Sequence, residues 1–380
     1  MEKSNCYKNK TVGVITMHRV INYGSFLQAY ATQTIIEDLG YKCDIIDYVF
    51  PNQWHFDKKI NSQNIIKKTL ANIIHKTGIK ASYRKKIKVE NAIEKYLNLS
   101  NKYNTPHDIS NNPPKYDIYI TGSDQTWNPK HTKGDNTFLL DFTPESSKRV
   151  SFSASLAGKN MDDNYKSDFK KYLKRYDHIA IRDSNGNCII NELLGEDAVV
   201  TLDPTLLLNK NKWTNFYKNR PDKYKEKSHI VFYLITHSFD VTPYIYDLLK
   251  ELQDKTGLNV YSFTEIPVEY NIKYKKCSDI GVEDFIELIM KSSYVVTSSF
   301  HGTAFAVNFG VPLYSVIDKI NNSDDRQSSL LKKLNIEQCL VPVGKKFKDI
   351  NPNYNERDSQ ERLELLRKDS IDYLRTSLLD

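Results

Sequence analysis

Apolar and polar positions along the chain switch repeatedly between short buried runs and helical stripes. TVGVIT (11–16) is a compact apolar run that ends in a polar loop. In FLQAYATQTIIEDLG the apolar residues recur at helical spacing up to Gly40, and KCDIIDYV (42–49) is a second apolar run. Strand, helix and strand in that order make a βαβ unit, the element of a parallel sheet. The same pattern predicts strands at YDIYIT (116–121), RVSFSAS (149–155), HIAIR (178–182) and AVVTL (198–202), with helices near 162–176 and 184–194. Together they make an N-terminal Rossmann-like domain over residues 1–208.

Residues 209–228 are polar and read as a linker, after which the alternation resumes. HIVFYLI (229–235), NVYSF (259–263), YVVTSS (294–299) and VPLYSVI (311–317) are strand-like. The helices expected between them lie around 243–255, in VEDFIELIMKSS and in GTAFAVNFG. This gives a second Rossmann-like domain over 225–350. Leu363, Leu366, Ile371, Leu374 and Leu378 form one stripe of a closing helix over 355–380, expected to pack back on a domain surface. The predicted fold class is α/β, with two Rossmann-like domains facing across a cleft. Strand ends and helix N-termini on both sides would line that cleft with donors for anions.

Length and composition fit this picture: 380 residues are too many for one ordinary core, and 39% apolar with 27% charged residues describes a folded chain. No apolar run reaches the length of a membrane span and the first residues are polar, so a cytoplasmic protein is expected. The five cysteines are scattered, which suits reduced thiols, and no cluster points to a metal. The net charge of +7 matters mainly through its placement, because residues 58–88 hold ten Lys or Arg and no acid. With Ile60, Ile65, Ile66, Leu70, Ile73 and Ile74 this block, in a basic helical insertion over about 58–97, reads either as a solvated helix pair or as a peripheral contact with an anionic membrane. Nucleic acid is disfavoured, since no stacking aromatics accompany the charge.

Chemistry concentrates where strands end. In TSSFHGTAFAVNFGVPLY (297–314) a strand runs into Ser298, Ser299 and His301, and Gly302 with Thr303 opens a helix. Such a turn is expected to receive a phosphate, with His301 beside it as acid or base, against the alternative of a plain N-cap with an incidental histidine. GSDQTWNP (122–129) follows a strand directly; Asp124 is a candidate base, Gln125 a sugar contact and Trp127 a stacking surface, against the alternative of a turn carboxylate and a core indole. Arg182 ends the strand HIAIR, where its planar fork suits a carboxylate or phosphate; a structural ion pair is the competing account. Asp203 reads as a turn stabiliser. Asn22, Gly24 and Ser25 precede a helix in the first loop, an anion or hydroxyl site or else a plain tight turn, and Arg326 at another helix start reads as an anion contact or a surface residue.

NYGSFLQAYA, YDIYITGSDQTWNP, HIAIRDSNG, TLDPTLL and SSFHGTAFAVNFGVPLY, in this order over residues 11–335, resemble the polysaccharide pyruvyl transferase family. The resemblance implies a GT-B-like fold, phosphoenolpyruvate as donor and a pyruvyl ketal set on a sugar hydroxyl pair in capsule or exopolysaccharide synthesis. The implied acceptor is an undecaprenyl-diphosphate-linked oligosaccharide at the inner face of the plasma membrane, and no cofactor is expected beyond the phosphoenolpyruvate co-substrate. Carried onto this sequence, His301 and Arg182 look like donor-site residues of the family; with the reading of the residues themselves, His301 and Asp124 are the catalytic candidates. Arg182, Ser298, Ser299, Gly302, Thr303 and Arg326 form the donor side, and Asn22, Gly24, Ser25, Gln125 and Trp127 the acceptor side. Some members carry an arginine where this chain has Ser299. A nucleotide-sugar glycosyltransferase on the same scaffold and a non-catalytic assembly partner are the alternatives.

Overall fold

A computed structural model describes residues 10–50, 80–236, 239–320 and 326–379. The chain is α/β, as the periodicity predicts, and divides into two compact units at Leu207/Leu208. The first unit also takes in the chain from Leu366 on, and the second takes in the start of a helix up to Lys88.

The first unit is built on β1 (Thr11–Ile15), β2 (Lys42–Ile45), β3 (Ile118–Thr121) and β4 (Lys148–Ser151), in the order β2-β1-β3-β4. All neighbours are parallel. Single bridges from Val150 to His178 and from Ala154 to Ile181 carry the sheet on to the parallel pair β5 (Ala180–Ile181) and β6 (Val199–Val200). β1 and β3 are buried almost throughout, which is why they read as continuous apolar runs rather than alternations. Gly13 is required inside β1, since a Cβ there would lie 2.2 Å from the Tyr116 ring. The strand order reverses between β1 and β3, so the loops after these two strands diverge and leave a crevice for a ligand.

The second unit holds β7 (His229–Tyr233), β8 (Asn259–Ser262), β9 (Tyr274–Lys276), β10 (Tyr294–Thr297), β11 (Leu313–Ile317) and β12 (Leu340–Pro342). They form one parallel sheet in the order β9-β8-β7-β10-β11-β12, the Rossmann order, with its reversal between β7 and β10. Ile230, Phe232, Leu249, Val260, Val296, Val316 and Val341 pack its core.

The stretch expected as a linker is part of this second unit. Lys210–Tyr217 is a helix that buries Trp213, Phe216 and Tyr217. After it, Glu287, whose side chain is fully buried, accepts from Arg220 and from the backbone N–H groups of Lys223 and Tyr224. An anion so buried persists only with such partners, and they fix the segment to the Val282–Met290 helix.

The closing helix, Glu356–Leu379, buries Leu363, Leu374 and Leu378 of the predicted stripe. Gln360 donates to the Val307 carbonyl in the second unit, while Arg367 donates to the Leu206 carbonyl and Ser370 accepts from the Leu202 N–H in the first. Most of the basic block lies outside the described residues. Its end begins the Ala81–Tyr96 helix, where Arg84 and Lys88 both bind Asp279, to its carboxylate and its carbonyl. Among the described residues no helix is long and apolar enough to cross a membrane.

Candidate functional site

In the second unit the reversal of strand order brings the ends of β7 and β10 together, and the sequence there fixes a tight turn. Thr297 Oγ1 donates to the Tyr233 carbonyl at 2.6 Å and accepts from the Ser299 N–H at 2.9 Å. Ser298 Oγ donates to the Ile235 carbonyl and accepts from the Ile235 N–H, which joins the two loops. Ser299 is the N-cap of the Phe300–Phe309 helix, its hydroxyl accepting from the Gly302 N–H at 3.3 Å. A Cβ on Gly302 would lie 2.5 Å from Thr297 Oγ1, so only glycine lets the helix meet the strand this closely. Thr303 pairs with Ser315 at 2.8 Å, and the Gln327 amide donates to both hydroxyls.

These contacts sort the expected donor-side residues. Ser298, Ser299 and Thr303 commit their hydroxyls to the chain itself, and Gly302 serves close packing. His301 and Arg326 are the charged or titratable members, showing 7% and 9% of their surface. Both adjoin Phe300: the His301 ring stands nearly edge-on to it at 5.4 Å and 73°, and the Arg326 guanidinium lies 5.8 Å from its centre. A helix N-terminus, a cation and an imidazole thus each adjoin Phe300, groups of the kinds that stabilise an anion and move a proton.

In the first unit the loops after β1 and β3 meet around Ser25 and Asp124. Asn22 caps the Tyr23–Asp38 helix by accepting from the Gly24 N–H, and Ser25 Oγ donates to Asp124 Oδ2 at 2.5 Å. Asp124 Oδ1 accepts the N–H of Gln125, and the residue sits at φ 76°, a left-handed conformation that costs an ordinary residue about 1 kcal/mol but that Asp tolerates. Gln125 accepts from Asn128 through its own side chain. The first unit thus places Ser25, Asp124 and Gln125 together.

Two expectations change. Trp127 is fully buried, its indole N–H donating to the Phe138 carbonyl and its ring edge-on to Tyr176 at 5.6 Å, so it is a core residue and no open platform for a sugar. Arg182 belongs to the first unit, not with the other donor-side residues, and its Nη1 lies 2.5 Å from Asp203 Oδ2, with side chains 2% and 0% exposed. Asp203 also accepts from Ser123 and, through Oδ1, from the Thr205 N–H and hydroxyl. The structural ion pair, with Asp203 as its acid, is the arrangement present.

Sequence reasoning missed a second polar cluster beside this one. His18, wholly buried, contacts the Thr16 carbonyl and Asp47, each at 3.2 Å, and Arg19 grips both oxygens of Asp47. Burial pushes the Asp47 carboxyl up, but the hydrogen bonds and charges of His18 and Arg19 outweigh it and hold it well below the usual carboxylate range. The MHR in the first loop is the signal that could have found it. Among the described residues no group of three or more His, Cys, Asp or Glu side chains is arranged to hold a metal.

Doubly wound sheets whose strand order reverses at a helix-opening turn define an α/β protein built on Rossmann-like units. The chain belongs to the polysaccharide pyruvyl transferase family, which it matches over residues 22–318. No curated protein matches it. Among solved structures it is similar to a UDP-GlcNAc 2-epimerase from Methanocaldococcus jannaschii (12% identity, 94% of this chain and 99% of that one, TM-score 0.47). A putative UDP-N-acetylglucosamine 2-epimerase from Listeria monocytogenes (14%, 97% and 90%, TM-score 0.45) and UDP-GlcNAc 2-epimerase from Neisseria meningitidis (10%, 90% and 88%, TM-score 0.45) are similar to the same degree.

Proposed function

We propose that this chain is an active pyruvyl transferase that takes the pyruvyl group of phosphoenolpyruvate and sets it as a ketal on a hydroxyl pair of a sugar destined for a surface polysaccharide, the acceptor being carried on a lipid. The observation that carries the reading is the turn after β10, where His301 lies in the first turn of a helix and both it and Arg326 adjoin Phe300. Phosphoenolpyruvate brings two anions and a basic enol carbon, and these residues answer each.

In the proposed reaction His301 gives its proton to the methylene carbon, leaving an oxocarbenium-like centre at the carbon that bears the phosphate. A sugar hydroxyl adds there, the C–O bond to phosphate breaks, and the second hydroxyl closes the ketal. Of the two hydroxyl protons released, one in effect replaces the proton given to carbon and the other leaves with inorganic phosphate. Arg326 and the helix N-terminus hold the phosphate as its charge grows, which is where electrostatic stabilisation counts most. On the acceptor side Asp124, hydrogen-bonded to Ser25, is the proposed base for a sugar hydroxyl.

The test is phosphate release from phosphoenolpyruvate with and without lipid-linked and free oligosaccharides, comparing the chain with His301→Ala. Acceptor-dependent release that the substitution abolishes is expected. Turnover of a nucleotide sugar in its place would sink the reading.

A further inference from the structure

The loop after β1 holds a histidine with acceptors on both sides. His18 is wholly buried, and each ring nitrogen lies 3.2 Å from an oxygen, Nδ1 from the Thr16 carbonyl and Nε2 from Asp47 Oδ1. Arg19 donates through Nε to Oδ1 and through Nη2 to Oδ2 of the same carboxylate, which stays ionised against the pull of burial, and Nη2 also reaches the exposed Glu94. A carbonyl and an ionised carboxylate only accept, whereas a neutral imidazole has one N–H to give. A ring with a single proton would set the lone pair of its other nitrogen against an oxygen, in an interior where such a mismatch is costly. Two N–H groups satisfy both contacts, and Asp47 matches the charge they bring.

From Thr16 the contacts run on. Its hydroxyl donates to the Ser123 carbonyl at 2.8 Å and accepts from Gln28 Nε2 at 2.7 Å. The same amide donates to the Ser25 carbonyl at 2.9 Å, and Ser25 Oγ donates to Asp124. All of these residues are buried. The ends of β2, β1 and β3, neighbours in that order, are thus joined by one line of contacts from Asp47 to Asp124.

We propose that His18 is a positioning residue that carries a proton on both ring nitrogens, clasps the Asp47 loop to the Thr16 carbonyl and so sets Ser25 against Asp124. Its effect on catalysis rests on the reading of Asp124 as base; its charge and its hold on the loop do not. Among the described residues, Asp47, Arg19 and Glu94 are the charged groups of this cluster. Arg19 stays charged and Asp47 takes a proton only in acid, so His18 is the member that opens the clasp on the alkaline side. When the ring gives up one proton as pH rises, one of its two contacts turns from attraction to repulsion and the loop loosens.

The experiment uses the full chain with nitrogen-15 in its histidine rings and reads protonation by NMR, with His18 assigned through its own backbone. Two protonated ring nitrogens are expected for His18 at about pH 7, and a bare nitrogen there overturns the proposal. Amide exchange of residues 16–28, corrected for the intrinsic effect of pH, then follows the loop. Opening should grow about ten- to a hundredfold, the worth of one hydrogen bond to a charged group, at the pH where the ring loses its second proton. Asp47→Asn should move that step to lower pH, and His18→Gln should leave the loop open at every pH with no step. Exchange in the natural chain that ignores the state of His18 overturns the proposal whether or not either variant folds. Phosphate release from phosphoenolpyruvate should fall at the same pH. A chain that shows the clasp and no turnover leaves the clasp standing and removes the pyruvyl-transfer reading, whereas turnover with His18 singly protonated removes the clasp alone.

Discussion

Replacing Asp203 by alanine should unravel the first unit well before it touches chemistry. The substitution strands the Arg182 guanidinium, only 2% exposed, without its carboxylate. It also removes the acceptor for the Thr205 N–H and hydroxyl and for Ser123. Breaking a buried ion pair on one side costs roughly 3–5 kcal/mol, and losing a cap adds about 1 kcal/mol. For a unit of this size 1 kcal/mol moves a midpoint by about 2–4 °C, so a fall of roughly 8–24 °C is expected. Asp203→Asn, which keeps the shape and loses the charge, should fall by less. The assay is thermal unfolding followed by Trp127 fluorescence with Trp54 and Trp213 changed to Phe, so that the signal comes from the first unit's core. A loss below about 1 kcal/mol would refute the reasoning and return Arg182 to the ligand-gripping role its position in the sequence suggested.

Three further outcomes follow from the packing and the charges. Gly302→Ala should cost about 1–3 kcal/mol in the second unit, because Thr297 is held by Tyr233 and Ser299 and has no room to yield; Trp213 fluorescence during urea unfolding reads it. Asp47 titrates below its unfolded value near 4, so its contribution is present above that pH and is lost as acid drives it through its lower folded value. The urea midpoint of the first unit should therefore fall below about pH 4, and Asp47→Asn should flatten that dependence. Glu287→Ala should free the 209–228 segment from the Val282–Met290 helix, seen as new tryptic cleavage at Lys218 to Lys227; an unchanged digest would restore the linker reading.

Most of the sheet was legible because its strands are buried on both faces and its helices carry stripes. TVGVIT and HIVFYLI contain β1 and β7, and GTAFAVNFG falls on the helix after β10. The strands that escaped are edges: β9 is three residues with two exposed lysines, and β12 ends in Pro342. Lys210–Tyr217 hid its three apolar residues among lysines and asparagines, although Trp213, Phe216 and Tyr217 keep helical spacing. At the sites, sequence placed His301 and the Ser25 to Asp124 region through their position after strands. It could not say whether Trp127 faces solvent or core, nor that the arginine of one strand end pairs with an aspartate 21 residues later. Those are long-range facts of packing, and so is the contact of Arg326 with Phe300.

The most direct test of the central claim is to follow phosphoenolpyruvate labelled with carbon-13 in its three-carbon unit into the acceptor oligosaccharide. The account predicts that label appears on the sugar as an acid-labile ketal, in step with released phosphate, and that His301→Ala stops both. Label that stays in phosphoenolpyruvate while the chain transfers a sugar from a nucleotide donor would contradict it.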